Sequence, residues 1–445
     1  MDEFIQKLFA SAATAGLETA EAFVVENESF EAVYTNGEVT EYSSNQTRGL
    51  GFRAMLNKRM GYSATEAFDD AAVSQLVQGA LDSASLCEDE DVPFIHKGGD
   101  TLPGMNLYLP DLERVTPQEK LDLALQLERA AEAYDDRITK TGYYAICTQK
   151  QNVRIVNTYG MDRQYTNNGC RAYLSAIAKD GDSTAVGEKL AVEKDFARLN
   201  AAALGAEAAK ITLERLHAKS VPSGSYHVIF DRLAMISILS VFASVFSAEN
   251  AQKGLSLLKG KLNEQIASHA VTIIDDPLMA DGSASRPFDA EGVASRRHMV
   301  VEEGKFITFL HNLKTAFKDG AENTGNASKA GYAAPVRVSP SNFYIQPGEY
   351  TLEALMKNAE NGIVITEVTG LHAGANPISG DFSLLSKGYL FVEGTRGTPV
   401  EQITVAGNFF EVLRAIQAVG NDLHFLAEGI GSPSVDAGTL SIAGE

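Results

Sequence analysis

Apolar residues at the start of the chain recur at helical spacing, with Ile5, Leu8, Phe9 and Ala12 along one side of residues 4–15, and predict an opening helix. The period then changes to two. Phe30, Ala32 and Tyr34 alternate with polar residues, and after Asn36-Gly37 the strand pattern resumes over residues 39–42. Both central residues of a type I′ turn need positive φ, which Asn and Gly tolerate, so this segment reads as a hairpin. Leu50, Phe52, Ala54 and Leu56 extend the sheet, residues 70–86 read as a helix, and the acidic, Pro- and Gly-containing residues 87–110 read as a loop.

Thr116-Pro117-Gln118-Glu119 is a helix start, since the Thr hydroxyl caps the amide of Glu119, Glu119 reciprocates, and Pro117 fits the first turn. That helix is predicted to run to about Tyr134. Strand-like residues 143–148, 153–156 and 171–178 repeat the earlier helix-then-strands order, a faint echo of duplication without residue identity behind it. An Ala-rich helix over residues 196–216 leads into His217-Ala218-Lys219-Ser220-Val221-Pro222-Ser223-Gly224, which has linker chemistry and places a domain boundary between 1–220 and 221–445. Beyond it come a strand at 226–230 and an uncharged stretch, residues 233–248, broken by Ser237, Ser240, Ser244 and Ser247. It falls short of the roughly 20 residues of a membrane span and reads as a buried helix. Strands are predicted at 270–274, 297–301, 305–310, 363–368 and 389–392, and a helix capped by Asn408 ends at Gly420. The fold class expected is α+β, an N-terminal antiparallel sheet with packed helices and a β-rich C-terminal domain around a buried helix.

Composition narrows the function. The 445-residue chain carries 38 Lys and Arg against 58 Asp and Glu, a formal charge of −20 that disfavours contact with phosphate backbones and anionic lipid. The start, Met1-Asp2-Glu3-Phe4, is acidic where a secretory signal is basic, and Cys87, Cys147 and Cys170 form no CxxC pair, so a reducing cytoplasm is expected.

Candidate chemistry is sparse. No HExxH or HExxxH occurs among the eight histidines. A turn at Glu303-Gly304 would bring His298 and His311 to one sheet face as a metal pair lacking a third ligand, or as two solvated imidazoles. Asp275-Asp276 and Asp289-Ala290-Glu291-Gly292 lack EF-hand spacing and default to turns and caps. There is no G-x-S-x-G elbow and no phosphate-cradling glycine loop.

The second half carries Gly370-Leu371-His372-Ala373-Gly374-Ala375-Asn376-Pro377-Ile378-Ser379-Gly380-Asp381-Phe382-Ser383, then Gly388-Tyr389, Pro399-Val400 and Thr404-Val405-Ala406-Gly407-Asn408. With Lys253-Gly254-Leu255-Ser256, Phe288-Asp289-Ala290-Glu291-Gly292 and Thr324-Gly325-Asn326-Ala327, these blocks resemble the TldD/PmbA family over nearly all of residues 221–445. The resemblance implies two sister types that pair as a cytoplasmic peptidase acting on unfolded or peptide substrates. The TldD-like sister carries HExxxH on the helix before the Lys-Gly block and a ligating Cys further on. Here Leu239, Ser240 and Ser244 stand where His, Glu and His would, and residues 388–398, where that Cys is expected, contain none.

The resemblance therefore implies a PmbA/TldE-like, non-catalytic subunit with no cofactor of its own, zinc residing in a TldD-type partner. Self-association when that partner is missing stays open, and neither nucleic acid nor membrane is an expected partner. The apolar side of the stretch, Ile236, Leu239, Phe242, Val245 and Phe246, suits a core or a subunit contact. Asp289, Glu291, Asn376 and Asp381 are candidates for a substrate cleft or for holding loops. The alternatives are a peptidase in its own right built on His298, His311 and a carboxylate, and a regulatory protein that binds DNA gyrase.

Overall fold

The structure, a computed structural model, describes residues 1–87 and 95–445; part of the predicted 87–110 loop, residues 88–94, lies outside the described residues. Strands β1 (Ala20–Thr35), β2 (Glu38–Leu56), β3 (Arg59–Thr65), β4 (Ile138–Asn157), β5 (Asp162–Asp180) and β6 (Ser183–Glu193) form one antiparallel sheet in the order β3-β2-β1-β4-β5-β6. Side chains on a strand alternate between faces, and this sheet uses the alternation to separate two interfaces. Ala20, Ala22 and Val24 pack with Leu50, Phe52 and Ala54 beneath helices Asp2–Thr14 and Asp70–Leu86. Phe30, Ala32 and Tyr34 join Tyr144, Ile146 and Leu174 beneath helices Pro117–Glu132 and Ala201–Glu214. Phe23 and Val25 point the other way, onto Phe288, Ala290 and Ala327 of the C-terminal half.

The predicted turn and cap chemistry is present. Asn36 and Gly37 have φ of 51° and 82°, the positive values of a type I′ turn. Thr116 and Glu119 close the capping box. The echo of duplication corresponds to a unit of helix, three strands and helix that occurs twice, with the first strands of the two units, β1 and β4, paired at the middle of the sheet.

Three expectations change here. Residues 143–148 and 153–156 belong to a single strand, β4. Its polar middle, Lys150-Gln151-Asn152, stays in the ladder because β1 answers it with Glu28, Asn27 and Glu26. Lys150 pairs with Glu28 at 3.3 Å, and Gln151 and Asn152 donate to Asn27 and Glu26 at 3.0 and 3.2 Å. Strand β6 was not anticipated. The Ala-rich helix begins at Ala201, capped by Asn200, while Phe196–Arg198 form a separate 3₁₀ turn capped by Asp195.

In the C-terminal half, strands Gly224–Phe230, Gly362–Thr369, Asp381–Val392, Thr395–Asn408 and Val435–Ala443 pair in a closed ring. Two of these, Thr395–Asn408 and Val435–Ala443, were not expected, yet they close the barrel and leave it without a free edge. A smaller sheet holds Ile273–Asp275, His298–Glu302 and Phe343–Ile345. Of the predicted strand 305–310, Lys305–Phe306 pair across a Glu303-Gly304 turn with φ of 46° and 82°, and Leu310 makes an isolated bridge to Ser247. The helix capped by Asn408 ends at Ala415 instead of Gly420.

Helix Arg232–Phe242 fits between barrel and small sheet, with Asp231 accepting the Ala234 amide at its start. Ile236, Leu239, Phe242, Val245 and Phe246 all lie in the core, so that face is packing within the chain. The α-helix stops at Phe242 and continues as a 3₁₀ turn, Ala243–Phe246. Its burial is incomplete: Leu233, Ser237, Ser240 and Ser244, spaced four, three and four apart, form a stripe open to solvent. Among the described residues no helix is long and apolar enough to cross a membrane.

Candidate functional site

Beside this helix lies a cleft of about 500 Å³ between the two halves of the chain. Helix Arg232–Phe242 contributes Leu233 and Ser237, the N-terminal half contributes β6 and the end of helix Ala201–Glu214, and the barrel contributes Gly388, Tyr389 and Arg396. Ion pairs cross between the halves: Arg215 with Glu367 at 2.8 Å and Arg396 with Glu214 at 2.8 Å, while Lys387 also reaches Glu367 at 3.3 Å. Arg396 lies 4.0 Å over the Tyr389 ring. Burial pushes the Asp231 carboxyl up to about 7, although the helix amides favour its charged form. Burial, reinforced by Arg232 and Lys189, pushes the His424 imidazole down to about 4, so it is neutral at physiological pH.

The three positions compared with HExxxH have distinct surroundings. Leu239 is 0% exposed in the core. Ser240 is exposed and its hydroxyl donates to the Ser237 carbonyl at 2.8 Å. Ser244 falls in the 3₁₀ turn, where its carbonyl accepts the Asn250 side-chain amide at 2.8 Å. Residues 388–398 do approach this helix through the cleft wall formed by Gly388, Tyr389 and Arg396. His298 and His311 meet at Thr324: the His298 ring contacts its carbonyl at 2.8 Å, and the His311 amide donates to its hydroxyl at 2.6 Å. Burial lowers the pKa of both imidazoles. Among the described residues no three His, Cys, Asp or Glu side chains gather closely enough to hold a metal ion.

Asp289 and Glu291 meet at the contact between the two halves. Asp289 accepts main-chain N–H groups from Glu291, Val293 and Ala327 at 2.9, 3.0 and 3.0 Å, which is a turn-holding role. Glu291 reaches across to the sheet. Arg53 of β2 donates to Glu21 at 2.7 Å and to Glu291 at 3.1 Å, and the Leu313 amide donates to the other Glu291 oxygen at 2.9 Å. Burial raises the pKa of both Asp289 and Glu291. Nearby, Arg163 donates to the Gly292 carbonyl at 2.5 Å and adds a second polar tie between the halves.

Asn376 and Asp381 lie elsewhere, on the barrel. Asn376 accepts the Ile378 amide at 2.9 Å, and Asp381 accepts the Asn408 side-chain amide at 2.8 Å, a bond that lowers the Asp381 pKa. Both are exposed; Asn376 holds a turn, and Asp381 ties the start of its strand to the end of Thr395–Asn408. Sequence reasoning missed Arg53, Asp231, Arg232 and His424. A signal for Arg53 was present: Gly49, Gly51 and Arg53 alternate with Leu50, Phe52 and Ala54, and two glycines on one strand face announce close approach by another backbone. Added Cβ atoms at Gly49 and Gly51 would lie 2.2 Å from the Tyr332 ring and 1.9 Å from its carbonyl oxygen.

Comparison with known proteins agrees with this architecture. Family models match residues 20–84 as PmbA/TldA metallopeptidase domain 1, residues 110–216 as the central domain and residues 223–444 as the C-terminal domain. The crystal structure of a candidate DNA gyrase modulator from Thermotoga maritima is 34% identical, with TM-score 0.92, and the match covers 99% of this chain and 100% of that one. TldE from Thermococcus kodakarensis is 20% identical with TM-score 0.85, covers 99% and 100%, and is similar in fold. Metalloprotease PmbA from Escherichia coli O157:H7 is 26% identical over 92% of this chain and 88% of its own length. Matched along its length by all three family models and in both sequence and fold by the Thermotoga structure, the chain belongs to the PmbA/TldD family of metallopeptidase-related proteins.

Proposed function

We propose that this chain is the non-catalytic, PmbA/TldE-type subunit of a cytoplasmic metallopeptidase whose zinc sits in a TldD-type partner, and that the pair acts on unfolded or peptide substrates. The observation that carries the reading is the helix beside the cleft. Leu239 offers no lone pair and is enclosed in the core, Ser240 spends its proton on the Ser237 carbonyl, and Ser244 leaves the α-helix altogether. Neutral hydroxyls are poor zinc ligands, so these three positions offer no donor set to hold a metal that would activate a water. What the helix keeps is Leu233 and Ser237 on the wall of a cleft whose volume is in the range that holds small ligands and short peptide segments. The net charge of −20 favours a protein or peptide partner over DNA.

The test is reconstitution. An unfolded peptide substrate is incubated with this chain alone, with an HExxxH-bearing sister alone, and with both. The proposal expects the two chains to co-elute and cleavage to need the sister. Cleavage by this chain alone, abolished by His298→Ala with His311→Ala, would replace the proposal with an independent peptidase.

A further inference from the structure

The cleft beside helix Arg232–Phe242 is lined by one cation that the fold does not use. Arg215 and Lys387 share Glu367, Arg396 pairs with Glu214, and Lys189 reaches Glu207 at 2.5 Å. Arg232 has no carboxylate within ion-pair distance and makes no side-chain hydrogen bond among the described residues, and none of its guanidinium nitrogens is enclosed by protein. The His424 ring, also on the lining, is likewise open and without a hydrogen-bond partner among the described residues. The two are neighbours: after burial, Arg232 is the strongest influence holding the His424 imidazole neutral, with Lys189 next.

The acids around Arg232 are committed elsewhere. Asp231 caps the helix by accepting the Ala234 amide at 2.9 Å, and burial pushes its carboxyl up to about 7. Asp422 accepts the Ser434 amide at 2.8 Å and the Ser434 hydroxyl at 2.7 Å. The Ser434 hydroxyl in turn accepts the Arg232 amide at 3.2 Å, so the start of the helix is closed and the Arg232 side chain is what a ligand meets.

The surroundings narrow the ligand. A guanidinium with its fork free suits a carboxylate, and a neutral imidazole beside it supplies a further N–H donor. Across the whole lining Lys and Arg are matched in number by Asp and Glu, and Glu188 and Glu401 form no ion pair among the described residues. A polyanion is therefore disfavoured against a ligand whose single negative charge falls at Arg232. Leu190, Leu233, Leu352 and Leu426 supply apolar wall, and Leu233 is 37% exposed on a helix whose other face is core.

We propose that Arg232 anchors a peptide in this cleft by a carboxylate, the guanidinium gripping its oxygens with His424 beside them, and Leu233 and Leu426 meeting the apolar side chain next to it. The inference rests on the reading of this cleft as a peptide-binding surface and adds the group by which the peptide is held. A C-terminal carboxylate and an acidic side chain share this chemistry.

Isothermal titration of the full chain with acetyl-Ala-Ala-Leu, its C-terminal amide, and the amide of acetyl-Ala-Glu-Leu separates the two sources. At least one acid should bind about tenfold or more tighter than acetyl-Ala-Ala-Leu amide. Preference for the free C-terminus assigns the site to a peptide end, and preference for the Glu peptide assigns it to an acidic side chain. Arg232→Gln should erase the preference and leave amide binding unchanged, while Arg232→Lys restores part of it. Proton NMR of the imidazoles, with His424→Gln identifying the resonance, should show the His424 pKa rising when the acid is bound and not when the amide is, because a carboxylate offsets Arg232. Equal binding of all three peptides, an acid preference that survives in folded Arg232→Gln, or an unmoved His424 with the acid bound would overturn the anchor and leave the cleft a peptide surface. No binding of any of the three would overturn the anchor and the peptide reading of the cleft together.

Discussion

Replacing Arg53 by Met removes the one cation shared by two buried carboxylates. The side chains of Arg53, Glu21 and Glu291 are 4%, 1% and 3% exposed, so water cannot replace the lost partner. Removing one member of a buried ion pair costs about 3–5 kcal/mol, and here two acids are stranded, so Arg53→Met should fall in the upper part of that range. Glu291 keeps the Leu313 amide, and Glu21 keeps no partner for its second oxygen among the described residues. The sign of the pH dependence follows. Stranded carboxylates have folded-state pKa values above their unfolded ones, so the folded state gains from protonation and the variant's deficit shrinks as pH falls. The assay is urea denaturation followed by circular dichroism and tyrosine fluorescence, since the chain has 15 Tyr and no Trp, at acidic and mildly alkaline pH. A large midpoint loss at alkaline pH, smaller in acid and mostly recovered when Glu21→Gln and Glu291→Gln are added, is expected. A variant with parental stability at both pH values, or one that suffers more in acid, would refute the reasoning.

Two further perturbations probe the same frame. Gly51→Ala places a methyl against the Tyr332 carbonyl and should cost about 1–3 kcal/mol and expose the 327–336 loop to limited proteolysis, whereas Gly104→Ala, with no atom within 4 Å of the added carbon, should be neutral. Asp231 holds its proton more tightly folded than unfolded, so its contribution to stability is fully present below about pH 4 and is lost as pH rises through about 7. Asp231→Asn retains an N-cap residue and should flatten that decline in denaturation midpoints measured between those pH values.

Local chemistry made much of the fold legible. Asn36-Gly37 and Thr116 to Glu119 announce their turn and cap because the deciding contacts lie within four residues. Strands that answer distant partners were harder to read. Lys150-Gln151-Asn152 looks like a loop until Glu26-Asn27-Glu28 is placed across from it. Thr395–Asn408 is a barrel strand because Val435–Ala443 reaches back to pair with it. The candidate residues divide in the same way. Asn376 works within its own loop, as its setting among glycines implied, while Asp381 ties that loop to Asn408, 27 residues further on. Glu291 stood out as an acid in a family block, but its partner Arg53 is 238 residues away and no local pattern joins the two. Leu239 and Ser240 differ because one side of the helix enters the core and the other meets solvent, a distinction the serine spacing already contained.

The central claim is that the helix beside the cleft does not hold a catalytic metal, and elemental analysis of the purified chain tests it most directly. After exposure to zinc and exhaustive dialysis, the isolated chain should retain below about 0.1 equivalent while its HExxxH-bearing sister retains close to one. One firmly held equivalent in this chain, lost on substitution of Ser240 and Ser244 by Ala, would contradict the account.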